Sequence, residues 1–180
     1  LDVLNPSEIH DLEPNLAPIF VKGVFHPTSL FVTSPKRLID TCFRHFLERG
    51  GRVFQEAVTA IQGGAADQVA ITDVAAHAAD KIVVTAGAWS NRLCKTMGFS
   101  VPLESERGYH LTLPRLEGVM KRPTLWAEHY INLCPMEGGL RMTVGVEYAG
   151  IDAAPNYDRV RRLLQCARQM LPMIADDKGE

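Results

Sequence analysis

The chain has 180 residues, of which 46% are hydrophobic and 22% are charged, and its net charge is −2. This size and composition suit one globular domain, or one domain with part of another. The weak charge and the lack of a Lys/Arg cluster argue against nucleic acid or anionic lipid as partners. The apolar runs are far shorter than the roughly 20 residues of a transmembrane helix, so we expect no membrane span.

The clearest predicted helix lies between Ser34 and Gly51. Ser34 can cap the free N–H groups, Pro35 fits the first helical position, and Gly50 can end the helix in a left-handed conformation. Apolar residues recur at helical spacing and form one stripe, which consists of Leu38, Ile39, Cys42, Phe43, Phe46 and Leu47. Nearer the start of the chain, Asn5-Pro6-Ser7-Glu8 predicts the beginning of a short helix.

Three strands and a short helix are predicted next. Arg52–Ile61 and Gln68–Val74 read as a hairpin with its turn at Gly63-Gly64. The apolar run Lys81–Thr85 predicts a strand that is covered on both faces. We expect a short helix at 91–97 to follow it, capped by Ser90 and closed by Gly98.

The second half of the chain predicts more strands and one last helix. We expect strands at 103–113, 125–135 and 140–148, the last two joined by a turn at 136–139. A helix should begin after Pro155-Asn156 and end before Pro172. This order is not a regular βαβ alternation, so the predicted class is α+β with a mixed, mostly antiparallel sheet and flanking helices.

The four cysteines and six histidines form no recognised metal or redox motif. Cys42, Cys94, Cys134 and Cys166 include no CxxC pair, and the histidines show no HxxxH or HExxH spacing. We therefore predict reduced thiols, no metal site and a cytoplasmic location. The sequence also lacks a Ser-His-Asp or Cys-His signature, and we predict no catalytic nucleophile.

The sharpest local feature is the glycine turn at Ala86-Gly87, directly after the apolar run. Without a Cβ, the backbone there can approach a flat ligand closely. An ordinary strand-to-helix turn that needs glycine for its dihedral angles would have the same sequence. The residues alone leave both interpretations open.

This turn lies within a string that resembles a known family motif. Val83-Val-Thr-Ala-Gly-Ala-Trp-Ser90, followed by Leu93 and Gly98, is similar to a motif of the D-amino-acid oxidase-like FAD-dependent oxidoreductases. Further segments resemble the same family over nearly the whole chain: Leu12-Glu-Pro14, Pro35 to Leu38 with Gly50-Gly51, Val101-Pro-Leu103, Arg107-Gly-Tyr109, and Met136 to Arg141 with Gly145 and Glu147.

The family's opening GxGxxG loop, which holds the FAD pyrophosphate, has no counterpart in this sequence. Its C-terminal segment, which usually supplies an arginine for the substrate carboxylate, also has none. We therefore expect an internal fragment, with residues 1–100 from the FAD-binding region and residues 101–180 from the substrate-binding domain. FAD would be bound by the full-length protein rather than by this fragment.

The resemblance also implies site residues. Val58 matches a strand position whose backbone meets the adenine, although it could simply be a packed valine. The turn lying along the cofactor would comprise Thr85, Ala86, Gly87, Ala88 and Trp89, and the indole could equally be a core anchor.

Two tyrosines are candidate substrate-binding residues. Tyr130 resembles a strand tyrosine that reaches the substrate carboxylate in glycine-oxidase-like members. Strand alternation places Arg107 and Tyr109 on one face and His110 on the other unless a bulge intervenes, and we expect Tyr109 to face the cavity. On the strand at 140–148, alternation groups Arg141, Thr143 and Glu147 on a polar face that either lines the active site or meets solvent.

The implied activity is oxidative deamination of a D-amino acid or similar amine by hydride transfer to the flavin. A sarcosine- or proline-type amine oxidase of the same family is one alternative. The other is a non-enzymatic α+β binding or scaffold domain in which the glycine turn is structural.

Overall fold

The computed structural model describes residues 1–64 and 67–174, with the exception of the Arg159 side chain. The strands and α-helices in these ranges are, in chain order, β1 Asp2–Leu4, α1 Pro6–Leu12, β2 Gly23–Phe25, α2 Pro35–Glu48, β3 Val58–Gly63, β4 Gln68–Thr72, β5 Ala76–Ala79, α3 Ser90–Thr96, β6 Arg107–Leu113, β7 Thr124–Trp126, β8 Ile131–Met136, β9 Gly139–Glu147 and α4 Asp158–Met170. Every strand pair in this part of the chain is antiparallel. The predicted α+β class with mostly antiparallel pairing is confirmed.

The chain forms two compact units. The first unit contains Leu1–Phe43, Arg107–Glu147 and the chain from Ala154, and the second contains Arg44–Glu106 and Tyr148–Ala153. The assignment of residues 1–100 and 101–180 to cofactor and substrate regions stays a prediction. No helix among the described residues is both long and apolar enough to cross a bilayer.

The first unit is built on a four-stranded sheet in the order β6-β9-β8-β7. Alternation along β9 buries Leu140, Met142 and Val144 on one face, opposite Arg141 and Thr143 of the predicted polar face. Helix α4 adds its apolar stripe to the same core, because Val160, Leu164, Ala167 and Met170 are buried. Fully burying one such aliphatic side chain stabilises a fold by about 1.5–3 kcal/mol.

Polar contacts stabilise the N-terminal part of the first unit, and the sequence predicts the helix start at which some of them lie. Asn5 and Glu8 form a reciprocal capping box at the start of α1, with bonds of 2.8 and 3.1 Å. Glu13 is 5% exposed, and its carboxylate accepts a bond from the Lys121 backbone N–H and lies 3.4 Å from Arg122 Nη1. A buried carboxylate needs such partners to offset the cost of leaving water.

The second unit consists of the three-stranded sheet β3-β4-β5 and helix α3. The Thr96 hydroxyl on α3 accepts a bond from the Ile61 backbone N–H at 3.0 Å, which joins the helix to the edge strand β3. Ile61 and Cys94 are its buried apolar residues among those described. This unit therefore has a much smaller core than the first.

Helix α2 forms as predicted, and Gly50 follows it with φ of +85°. Its apolar stripe is nevertheless not buried, because Leu38, Ile39, Phe43, Phe46 and Leu47 are 44–65% exposed.

Three predicted elements differ from the structure. Lys81–Thr85 has no regular secondary structure and joins no sheet among the described residues, and the third strand of its unit is β5 instead. The prediction of a strand covered on both faces is therefore wrong. The predicted strand at 125–135 is divided into β7 and β8 by a turn at Ala127–His129. Ser90 lies inside α3 and makes no capping bond.

Candidate functional site

The second unit contains a pocket with a volume of about 680 Å³. Its walls come from four separate stretches of chain: strand β3, strand β4, the segment 82–86, and the turn and helix that follow Gly87. Val58 and Ile61 line it from β3, while Trp89 and Leu93 line it from the helical side. The size falls within the range of ligand-binding sites, and the lining is mainly apolar, as is usual for such sites.

The glycine turn lies beside this pocket. Gly87 has φ of +54°, in the left-handed region that residues other than glycine and asparagine rarely adopt. A Cβ at this position would meet no described atom within 4 Å. The backbone conformation therefore favours glycine, and the space beside the turn is open.

Four of the six predicted cofactor residues line the pocket. Val58, Thr85, Ala86 and Trp89 are in its wall, whereas Gly87 and Ala88 adjoin it in the chain. Val58 lies on an edge strand and is 42% exposed, and the Trp89 side chain is 55% exposed. Neither residue is packed in a core in the described structure.

Arg92 is a pocket residue that the sequence reasoning missed. Its Nη2 donates to both carboxylate oxygens of Asp152, at 2.8 and 2.7 Å. Both side chains are more than half exposed, so the pair adds little stability and keeps a balanced charge at the pocket wall. The partners are 60 positions apart, and no local sequence signal links them.

A second polar cluster in this unit joins the segment before β3 to the sheet. Glu56 Oε2 accepts a bond of 2.6 Å from the Thr72 hydroxyl and lies 2.7 Å from Nε2 of His77. Hydrogen bonds from Thr72, which has the larger effect, and from His77 lower the pKa of Glu56 below its usual 4.5. The Phe54 ring lies 4.5 Å from the His77 ring, which adds an aromatic contact.

Tyr109 is in the core of the first unit, and its predicted place at a substrate cavity stays a prediction. It is 6% exposed, and its phenol donates to Glu147 and accepts a 2.8 Å bond from the Asn156 backbone N–H. The ladder between β6 and β9 is irregular at Gly108-Tyr109. His110 is exposed on the opposite side, as alternation predicts.

Tyr130 is not a strand residue in this structure. It follows the Ala127–His129 turn with φ of +53°, and its side chain is 74% exposed. Such a conformation is uncommon for a tyrosine, and it projects an exposed phenol at the start of β8. Its proposed contact with a substrate carboxylate stays a prediction.

The first unit also has a polar sheet face, which we define as Thr112, Arg141 and Cys134 on one rung and His110, Thr143 and Asn132 on the next. These residues alternate with the buried core residues of β6, β9 and β8. Burial raises the pKa of the Cys134 thiol, and the nearby Arg141 guanidinium opposes that rise. Arg141 and Thr143 are half-buried, so this face is not simply solvated.

In residues 1–64 and 67–174, no group of three or more His, Cys, Asp or Glu side chains is placed so that it could hold a metal ion. All four cysteines are free thiols.

The family model for FAD dependent oxidoreductases matches residues 1–179. The chain belongs to this family. A D-amino-acid oxidase from Bradyrhizobium diazoefficiens is 30% identical over 175 residues, which cover 97% of this chain and 42% of that protein. The resemblance inferred from the sequence motifs is thus confirmed.

Solved structures of similar fold include two oxidases and one dehydrogenase by their names. Glycine oxidase from Geobacillus kaustophilus has a TM-score of 0.78 at 20% identity, and iminodiacetate oxidase from Chelativorans sp. BNC1 has 0.80 at 20%. L-proline dehydrogenase from P. horikoshii has 0.83 at 15% identity. Each match covers 99% of this chain and 48–50% of the other. The chain therefore spans about half the length of these relatives, and at this identity they show the fold alone.

Proposed function

We propose that this chain is part of an FAD-dependent enzyme that oxidatively deaminates a D-amino acid or a similar amine. One observation carries the proposal: residues distant in sequence, Val58 on β3 and Thr85, Ala86 and Trp89 around the glycine turn, meet at one apolar pocket. The family match and the D-amino-acid oxidase relative support flavin chemistry in the enzyme.

The pocket fits a flat ring system. Its walls expose Val58 and the Trp89 indole, and the left-handed Gly87 leaves open space beside them. Thr85 and Ala86 would present backbone to the cofactor edge, while Trp89 would supply apolar contact area. When bound, FAD would accept a hydride from the substrate α-carbon.

The protein's own contribution would be to orient the substrate. Its carboxylate must be anchored so that the α-hydrogen points in one direction. The exposed Tyr130 phenol can donate to a carboxylate without adding charge. For Tyr109 we propose an indirect part, because its hydroxyl already bonds to Glu147 and Asn156. The free thiols accord with a cytoplasmic location, which we propose as well.

The test is to express the longer polypeptide that carries this chain, at the length of the D-amino-acid oxidase relative. We expect a yellow protein whose flavin absorbance bleaches anaerobically with a D-amino acid and not with its L-enantiomer. Glycine, sarcosine, iminodiacetate and L-proline, tried side by side, would identify a different amine substrate. A colourless polypeptide that binds no added FAD would contradict the proposal and favour a scaffold domain.

A further inference from the structure

A β-bulge in strand β3 shapes one wall of the pocket in the second unit. Val58 pairs with Thr72 of β4 and Ala60 pairs with Ile71, so Thr59 between them is an extra residue on β3. In a regular strand, neighbouring side chains point to opposite faces. Val58 and Thr59 are neighbours, yet both contribute to the pocket wall. The bulge therefore brings to the pocket a residue that regular alternation would turn away.

Hydrogen bonds outside the regular ladder hold the chain at this bulge. The Thr59 hydroxyl donates to the Ile71 carbonyl at 3.3 Å. Just before the bulge, the Ala57 backbone N–H donates to the Asp73 carboxylate, and the Asp73 backbone N–H donates to the Ala57 carbonyl, both at 3.0 Å. Because a bulge interrupts the ladder, contacts of this kind decide where its residues lie.

Glu56 joins the start of β3 to both of the other strands. Its Oε2 accepts a bond of 2.6 Å from the Thr72 hydroxyl on β4 and lies 2.7 Å from Nε2 of His77 on β5. The Glu56 side chain is only 15% exposed. Thr72 is also the residue that lies opposite Val58. One carboxylate oxygen thus fixes the chain against two strands, two residues ahead of the pocket wall.

The neighbours of Glu56 form a small cluster outside the pocket wall. The Phe54 and His77 ring centres are 4.5 Å apart, and the Arg52 guanidinium lies 5.1 Å from the centre of the Phe54 ring. Among the residues that the structure describes, neither this cluster nor Glu56 lines the pocket. Any effect of Glu56 on a bound ligand would therefore act through the position of β3.

We propose that Glu56 is a positioning residue for the pocket. By bridging β4 and β5, it holds the bulge in the conformation that places Val58 and Thr59 in the pocket wall. The nature of the ligand, a flavin cofactor, rests on the proposed function, whereas the placement of the wall does not. Glu56 itself does not touch the ligand in this arrangement.

The first experiment uses the 180-residue chain and needs no flavin. NMR follows the Thr59 amide signal and the cross-strand NOE between Val58 and Thr72. Glu56→Asp keeps the charge but withdraws the carboxylate by one methylene group, so we expect the amide signal to shift and the NOE to weaken. Glu56→Gln keeps the reach, and its amide oxygen can accept both bonds, so both signals should stay close to those of the unmodified chain.

The matched control is Asn91→Ala, compared with Glu56→Ala. Asn91 lies in the same unit, and its side-chain oxygen also has two hydrogen bonds, from the Ser100 hydroxyl at 3.0 Å and the Val101 N–H at 2.9 Å. It does not line the pocket. Both alanine variants should lower the melting temperature, but only Glu56→Ala should change the signals of the bulge. A stability effect and a positioning effect are thereby separated.

The second experiment measures FAD affinity in the longer polypeptide by fluorescence titration of the apoprotein. Glu56→Asp and Glu56→Ala should raise the dissociation constant about threefold to tenfold, the effect of losing roughly one well-placed contact. Glu56→Gln and Asn91→Ala should stay within about twofold of the unmodified protein. This rescue by glutamine distinguishes the position of the side chain from its charge.

Two results would overturn the role of Glu56. One is an equal change of the bulge signals in Glu56→Ala and Asn91→Ala, which would show a general loss of stability. The other is a Glu56→Asp variant whose bulge signals match those of Glu56→Gln, and this comparison decides alone if Glu56→Ala does not fold. A longer polypeptide that binds no FAD would refute the proposed function and leave the NMR result intact, so the two failures are distinguishable.

Discussion

The phenol of Tyr109 donates a hydrogen bond to Oε2 of Glu147, 2.5 Å away, across the ladder between β6 and β9. The same oxygen of Tyr109 accepts a bond from the Asn156 backbone N–H, in the segment that leads into α4. One buried hydroxyl thus joins the sheet to the start of the last helix. Its loss would remove the hydrogen-bond acceptor of the Asn156 N–H and one of the contacts of Glu147 Oε2, which also lies 3.6 Å from Arg107 Nη1.

We predict that Tyr109→Phe destabilises the first unit by about 1–3 kcal/mol, because a hydrogen bond to a carboxylate and one from a backbone N–H are both lost. Urea denaturation followed by circular dichroism would measure it. Tyr148→Phe is the matched control, since the Tyr148 phenol also donates to a carboxylate, that of Glu106, but is 64% exposed. Its loss should be much smaller. Equal effects of the two substitutions would show that burial of Tyr109 contributes nothing.

A pH dependence follows from the Glu56 cluster. Hydrogen bonds from Thr72 and then His77 lower the pKa of Glu56 below 4.5, so the folded state favours the carboxylate. Stabilisation from this group is present above the ordinary carboxyl pKa and is lost as pH falls through the lowered one. Glu56→Gln should therefore lower the melting temperature at neutral pH, and the difference from the unmodified chain should shrink on acidification.

The control for this experiment is Asp80→Asn, an exposed carboxylate in the same unit. Its melting curve should follow that of the unmodified chain across the pH range. A Glu56→Gln difference that stays constant from neutral to acid pH would contradict a contribution from the ionised carboxylate.

The predictable parts of the fold are those that local pattern decides. Helix α4 is recognised from apolar spacing with a proline beyond its end, and the β9 alternation from one buried face. The strand prediction for Lys81–Thr85 is wrong because an apolar run indicates only that side chains contact other apolar groups. A strand also needs backbone hydrogen bonds to a neighbouring strand, which the run does not reveal. The break at Tyr130 gives no signal, because neither glycine nor proline marks the left-handed residue.

The candidate site likewise contains residues that the sequence indicates and residues that it does not. Val58 and Trp89 are indicated by a family resemblance, and only the folded chain brings both to one pocket. The Arg92–Asp152 pair and the burial of Arg141 Nε depend on tertiary neighbours. Neither the tertiary neighbours nor the burial of a side chain can be predicted from residue type or spacing.

The glycine turn predicts an order of tolerance. At φ of +54°, Gly87→Asn should be accepted, whereas Gly87→Val should cost about 1–2 kcal/mol or more, since left-handed backbone disfavours a β-branched residue. No described atom lies within 4 Å of the place that a Cβ would occupy, so the cost is conformational. Thermal unfolding of both variants checks this, and equal stability would show that the turn relaxes freely.

The same two variants also address the cofactor. In the longer polypeptide, Gly87→Val should lower flavin occupancy, measured as the ratio of visible to ultraviolet absorbance, because the side chain would enter the open space beside the pocket. Normal occupancy in the valine variant would place the flavin elsewhere.

Binding of FAD by the 180-residue chain alone is predicted to be weak. The pocket supplies apolar walls, but the sequence contains no GxGxxG loop, whose backbone N–H groups and helix N-terminus hold a pyrophosphate. Titration of FAD with the chain, followed by flavin fluorescence, should show no saturable quenching at micromolar concentrations. Riboflavin, which lacks the phosphates, serves as the comparison, because a pocket that contacts rings alone should treat the two ligands alike. Stoichiometric binding of FAD and not of riboflavin would reveal a phosphate-holding element within this chain and contradict the prediction.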